Sequence, residues 1–169
     1  MNIVDKILVD PITRGLKFFT KGGVPAYVRL VISEVWVTAA SGFGSTNTKI
    51  RRFGTATVNT GSAITYTSSA TLGDSFLVNE SGIYAVTYTD LYGAGSTSMG
   101  ISLNSSSLST SIDAIAVPFQ LAYLTTVAGA AGTITWIGRL NTGDIVRAHS
   151  DGAANNAVGK FRIVQVAQI

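Results

Sequence analysis

The sequence predicts an all-β protein, an antiparallel, jelly-roll-like sandwich with an extended N-terminal arm. Three observations carry that expectation. From residue 50 onward, short runs rich in β-branched and aromatic side chains follow one another at close, even spacing. Between them stand turn signals: Asn59-Thr60-Gly61, Ser81-Gly82, Gly93-Ala94-Gly95, Asn141-Thr142-Gly143 and Asp151-Gly152. No segment offers three turns of helical periodicity with caps at its ends. Many short strands so spaced close into a sandwich or a barrel. At 169 residues the chain suffices for one domain with a full core and is too short for two.

Residues 1–26 alternate poorly, and Pro11, Gly15, Gly22, Gly23 and Pro25 interrupt them every few residues, which breaks both a helix and a long strand. They are expected to form an extended arm. Residues 27–38, YVRLVISEVWVT, alternate for part of their length, with Val28, Leu30 and Ile32 on one parity, and predict the first strand. Residues 39–49 are small and polar with two glycines and predict the loop between arm and body. The expected division is 1–40, arm and first strand, and 41–169, jelly-roll body.

Within the body the expected strands are 50–58, 63–67, 75–79, 83–90, 98–104, 120–127, 133–140, 144–150 and 160–168. In 83–90, Tyr84, Val86 and Tyr88 share the parity expected to face inward. In the last strand, Phe161 and Ile163 on one parity and Val164 and Val166 on the other leave both faces partly apolar, which suits a strand at a subunit contact.

Charged residues make up only 12% of the chain while AVILMFWYC make up 46%, against roughly a quarter charged in an average soluble domain. So few charges protect a monomer poorly against association, and burial against further copies is expected. The charge is also unevenly placed. Residues 1–52 hold eight basic residues against three acidic ones, +5, and residues 53–169 hold four against six, −2, which together recover the net +3. A basic N-terminal segment on a near-neutral body is the asymmetry of an arm that meets an acidic partner. Lys6, Arg14, Lys17, Phe18, Phe19, Lys21 and Arg29 are its candidate partner-binding residues.

Several functional classes are disfavoured by the residue inventory. With no cysteine, neither a disulfide framework nor a thiolate metal site can form, and a single histidine, His149, excludes a multi-histidine site. MNIVDKILVD carries Asp5, Lys6 and Asp10 inside its apolar stretch and no small-residue cleavage site, so it does not read as a secretory signal. No apolar run reaches the roughly 18–20 residues that cross a bilayer as a helix. A protein made in the cytoplasm, without membrane partner or cofactor, is expected.

Nucleophilic catalysis needs a base beside a nucleophile, and no G-x-S-x-G elbow is present. His149 near Asp144 and Asp151 reads as an ordinary strand end beside a turn, so no enzyme is expected. Gly93-Ala94-Gly95 and Gly129-Ala130-Ala131-Gly132 neither open a helix nor precede the Lys-Ser/Thr pair of a phosphate-binding loop. Asp144, Asp151, Asn155 and Asn156 could offer oxygens to calcium, although their spacing fits no known loop.

Lys49, Arg51 and Arg52 form the densest basic cluster. Only Phe43 and Phe53 stand near it for stacking, and no nucleic-acid partner is expected. Arg51 and Arg52 point to opposite faces of a strand, so one of them is expected to pair with an acid within the fold or across a subunit boundary. The small-residue tracts 105–111 and 128–133 fit flexible tips and tight packing surfaces equally.

The order Phe76-Leu77-Val78, Ser81-Gly82-Ile83-Tyr84-Ala85-Val86-Thr87-Tyr88, Gly100-Ile101-Ser102-Leu103-Asn104 and Leu140-Asn141-Thr142-Gly143-Asp144-Ile145-Val146-Arg147 resembles the globular heads of the complement and tumour necrosis factor superfamily. The likeness spans about residues 72 to 167. A second likeness is to small virion proteins of tailed bacteriophages. It rests on Gly42-Phe43-Gly44-Ser45-Thr46-Asn47-Thr48-Lys49-Ile50-Arg51-Arg52-Phe53, then Asn59-Thr60-Gly61-Ser62-Ala63-Ile64-Thr65-Tyr66, then Ser69-Ala70-Thr71-Leu72-Gly73-Asp74-Ser75-Phe76.

These resemblances imply a homotrimer and a virion component. The collagen-like Gly-X-Y stalk of animal relatives is missing, so their extracellular signalling is not implied. The expected function is a capsid decoration, or cement, protein whose arm binds the major capsid protein or another virion protein. The alternative is a receptor-binding tip of a tail fibre, with residues 93–97 and 150–158 meeting host glycans; the short chain without a shaft favours the shell.

Overall fold

The computed structural model describes residues 4–9, 16–20, 25–28, 33–92, 97–127, 129–151 and 159–168, the strands before residue 33 by their backbone alone. Strands β1 (Val4–Val9), β2 (Leu16–Thr20) and β3 (Pro25–Val28) form a three-stranded antiparallel sheet. Lys6 stands opposite Phe19, Leu8 opposite Lys17 and Leu16 opposite Val28. The N-terminal region expected as an arm thus contains short paired strands. Pro11, Gly15, Gly22 and Gly23 fall between short strands and so separate them without preventing them. Pro25 opens β3, where a missing N–H is tolerated.

The body is built from β4 (Ser33–Phe43), β5 (Arg51–Thr60), β6 (Ile64–Thr67), β7 (Ser75–Val78), β8 (Gly82–Leu91), β9 (Thr97–Leu103), β10 (Gln120–Thr126), β11 (Ala131–Leu140), β12 (Ile145–Ser150) and β13 (Lys160–Gln168). One sheet has the order β11-β8-β13-β4-β5 and the other β10-β9-β12-β7-β6, with antiparallel pairing throughout. The only helical turns among the described residues are two single 3₁₀ turns, Ile112–Ala114 and Val117–Phe119. None is long and apolar enough to cross a membrane.

From residue 50 onward each strand begins and ends within two residues of its expected position. The region before it differs. β3 ends at Val28 and β4 begins at Ser33, so the single strand expected over 27–38 is divided, and residues 29–32 lie outside the described ones. β4 runs on to Phe43 through the expected loop, paired with β5 and β13. The boundary expected between residues 40 and 41 therefore falls inside a body strand, with Ala40 opposite Phe53, Phe43 opposite Arg51 and a register shift between the two pairs.

Alternation decides which face is core. Val35, Val37, Tyr84, Val86, Tyr88, Phe161 and Ile163 from one sheet meet Phe76, Met99, Ile101, Val146 and Ala148 from the other, all buried. Phe76 and Phe161 stack across the two layers at 4.5 Å between centroids, and Phe53 meets Tyr88 edge-on at 6.4 Å.

Residues 104–119, joining β9 to β10, strap the outer face of β9 and β12. Leu108 accepts the Lys49 N–H at 3.2 Å, and Ser109 Oγ donates to the Thr46 carbonyl at 3.0 Å. Ile112 and Ile115 are buried, and the Gln120 amide donates to both of their carbonyls at 2.8 and 2.9 Å. A Cβ on Gly100 would stand 2.4 Å from the Ala122 carbonyl oxygen and 2.8 Å from Ile112 Cγ1, which is why glycine lies under the strap. The serine tract 105–111 is thus a packed surface segment.

Candidate functional site

The basic cluster is split three ways. Lys49 pairs with Asp151. Arg51 turns inward and is fully buried, its Nε 2.6 Å from Asp90 Oδ2 and its Nη2 3.1 Å from Oδ1, while Nη1 donates to the Gly42 carbonyl at 2.9 Å. The Phe43 ring lies 4.9 Å from the guanidinium carbon. Asp90 also accepts the Tyr88 hydroxyl at 2.7 Å and the Leu91 N–H at 2.9 Å, and Tyr88 and Tyr92 share a hydroxyl contact of 2.9 Å. Burial opposes the charge on Arg51, but Tyr88 and Asp90 outweigh it and raise its pKa; burial and then Asp90 push Tyr92 up to about 12. Arg51 and Asp90 thus neutralise each other inside the sandwich. Arg52 faces the other way, half-buried, as the alternation of β5 requires.

The calcium candidates do not converge. Asp144 caps its own turn, accepting the Asn141 N–H at 2.8 Å and the Asn104 amide at 2.7 Å. Asp151 stands beyond the other end of β12, roughly 20 Å away at strand rise. Asn155 and Asn156 lie outside the described residues, and no group of three or more His, Asp or Glu able to hold a metal occurs among those described.

Of the arm candidates, Lys6 falls on β1 and Lys17, Phe18 and Phe19 on β2, with side chains outside the description. Arg14, Lys21 and Arg29 lie outside the described residues altogether, as do most of the loops 93–97 and 150–158.

What the fold does assemble is an uncharged apolar side. β10 and β11 are the edge strands of their two sheets, consecutive in the chain, and residues 114–138 hold no charged residue, the longest such run in the sequence. Val117 (76% exposed), Ile137 (66%), Val127 (64%), Tyr123 and Phe119 all lie in it, and they are five of the eight large exposed hydrophobics among the described residues. A solvated edge strand ordinarily carries charge or proline against self-pairing, and β10 and the exposed length of β11 up to Gly138 carry neither.

Next to that edge lies the outward face of β11, β8, β13 and β4. Across it run Ile137, Ala85, Val164 and Glu34 in one row and Thr135, Thr87, Arg162 and Trp36 in the next. Thr87 and Thr135 bond at 3.1 Å and Thr89 and Thr133 at 2.9 Å, so hydroxyls satisfy one another, and the Arg162–Glu34 pair closes at 2.6 Å. With Val166 56% exposed, this face is apolar to mildly polar, in keeping with the two-sided apolar pattern of β13. The edge is not legible in the sequence, because its signal, a charge-free run, becomes a surface only through the placement of β10 and β11 as sheet edges.

No family model and no curated protein matches the chain. Among solved structures, murine APRIL at pH 8.5 superposes with a TM-score of 0.59 at 12% identity, covering 80% of this chain and 99% of that one. Murine APRIL at pH 8.0 gives 0.58 at 13% over the same shares, and GITRL from bushbaby gives 0.50 at 11%, covering 82% and 96%. At such identities the likeness is one of fold: a tumour necrosis factor-like jelly roll.

Proposed function

We propose that the chain is a non-enzymatic structural protein of a bacteriophage particle, a homotrimeric capsid decoration protein anchored through its N-terminal region. The observation that carries this reading is the uncharged edge. Val117, Phe119, Tyr123, Val127 and Ile137 expose apolar surface that the monomer leaves unburied. An edge-to-face contact between copies is heterologous, and it closes into a ring of three where each contact turns the next copy by a third of a turn. The likeness of residues 42–76 to phage virion proteins supports the particle, and the superfamily likeness supports the trimer.

The anchoring role falls to residues 1–32, which precede the first body strand and include the separate sheet β1-β2-β3. That region holds five of the twelve basic residues of the chain, so an acidic shell surface is its natural complement. Deleting 1–32, which leaves β4 whole, is expected to yield a body that still assembles but is lost from capsids. Retention at wild-type occupancy would end the anchoring proposal. Electron microscopy of intact particles tests the location, and density at the tail tip instead of the head would transfer the protein to the fibre.

A further inference from the structure

We propose that His149 is an acid-sensitive latch that holds residues 104–119 against the sandwich and lets them go when the imidazole takes a second proton. His149 is the only histidine of the chain and is fully buried on the outward parity of β12, beneath the strap. Its Nε2 lies 2.7 Å from the Thr110 carbonyl oxygen, so the neutral ring keeps its proton on Nε2 and donates it to the strap. Nδ1 is buried as well and has no hydrogen-bond partner among the described residues. As a bare lone pair it is tolerated; as a second N–H carrying positive charge, it has no acceptor to meet.

The charges around the ring oppose protonation. On β12 itself Arg147 stands two residues away on the same face. Lys49 comes from the segment before β5, where its carbonyl accepts the Ser150 N–H at 2.8 Å and Ile50 bridges His149. Both nearby acids are already committed, Asp151 to Lys49 and Asp113 of the strap to Ser111 and, at 2.8 Å, to Ser98. From β9, Ser98, Gly100 and Ser102 face the strap without an ionisable group, and residues 152–158 contain none. Burial first, then Arg147 and Lys49, hold the imidazole below its ordinary range, with only the Thr110 carbonyl pulling the other way.

The linkage has one sign. The closed strap prefers neutral His149, whereas the open strap exposes a ring of ordinary pKa, about 6.5, so the open form binds more protons. Closure is therefore fully favoured above that value and weakens as pH falls towards the depressed closed-state pKa, by up to about tenfold per pH unit. Release uncovers Ile112 and Ile115.

The test uses the full chain. Hydrogen exchange of amides 106–115, corrected for the intrinsic rate, is compared at about pH 7.5 and about pH 5, and the imidazole is titrated by proton NMR, where a lone histidine gives an unambiguous signal. Strap opening is expected to rise about 10- to 30-fold at the lower pH, with the imidazole titrating below 6.5 over the same range. His149→Gln, which can still donate to Thr110 but cannot titrate, is expected to stay closed at both. Equal protection of the wild-type strap at both pH values overturns the latch, as does an imidazole that titrates at its ordinary value under a closed strap. Identical acid loosening in His149→Gln does so too. Should that variant fail to fold, the wild-type exchange and titration decide between the same outcomes.

Discussion

Asp90→Ala is expected to remove about 3–5 kcal/mol of folding stability, read as a lowered denaturant midpoint in guanidinium unfolding at constant slope. Asp90 holds the fully buried Arg51 through two charge-assisted bonds, at 2.6 and 3.1 Å, and accepts Tyr88 and the Leu91 N–H besides. Arginine does not shed its proton at any ordinary pH, so removing the carboxylate takes two charge-assisted bonds from a cation that stays buried between the sheets. The stranded charge, more than the lost attraction, sets the size of the effect.

The double variant Arg51→Met/Asp90→Leu separates those two terms. Both side chains are replaced by apolar groups of similar bulk, no charge is left uncompensated, and stability is expected to return to within about 1–2 kcal/mol of wild type. A single variant costing under about 1 kcal/mol would mean that water or another acceptor takes the place of Asp90 at the guanidinium.

Comparison of particular elements shows where the sequence was legible. β8 and β13 were readable because a two-residue period in Tyr84, Val86, Tyr88 and in Phe161, Ile163 encodes both strand and buried face, and each residue occupies that face. β4 was not, since the small residues Ala39 to Gly42 carry no strand pattern, yet β4 runs through them to Phe43. The N-terminal strands were hidden by the same punctuation that separates them.

The strap illustrates a different limit. Residues 105–111 are mostly serine, and whether such a tract is a free tip or a packed layer depends on Gly100, Ile112 and Gln120, partners set by topology. The expected pairing of Arg51 or Arg52 followed from strand alternation, but the choice of Asp90, 39 residues away, needed the sandwich. The uncharged edge was equally remote: runs 53–73 and 91–112 also lack charge, and only the strand order puts 114–138 on an open side.

Ile137→Glu is expected to convert the proposed trimer to monomers at micromolar concentration while leaving the fold intact, as seen by sedimentation velocity alongside the unfolding midpoint. Ile137 lies on the outward parity of β11, 66% exposed, opposite Ala85, so nothing in the core depends on it. Burying such a side chain fully contributes about 1.5–3 kcal/mol, and a ring of three repeats that contact three times, giving roughly 5–9 kcal/mol for the assembly. Glutamate removes that gain and adds the cost of burying a carboxylate without a partner. Thr65→Glu, on the exposed edge strand β6 of the other sheet, is the control and is expected to leave the trimer whole. If Thr65→Glu dissociates the assembly and Ile137→Glu does not, the copies meet through the β5 and β6 side, and the uncharged 114–138 edge has some other occupant.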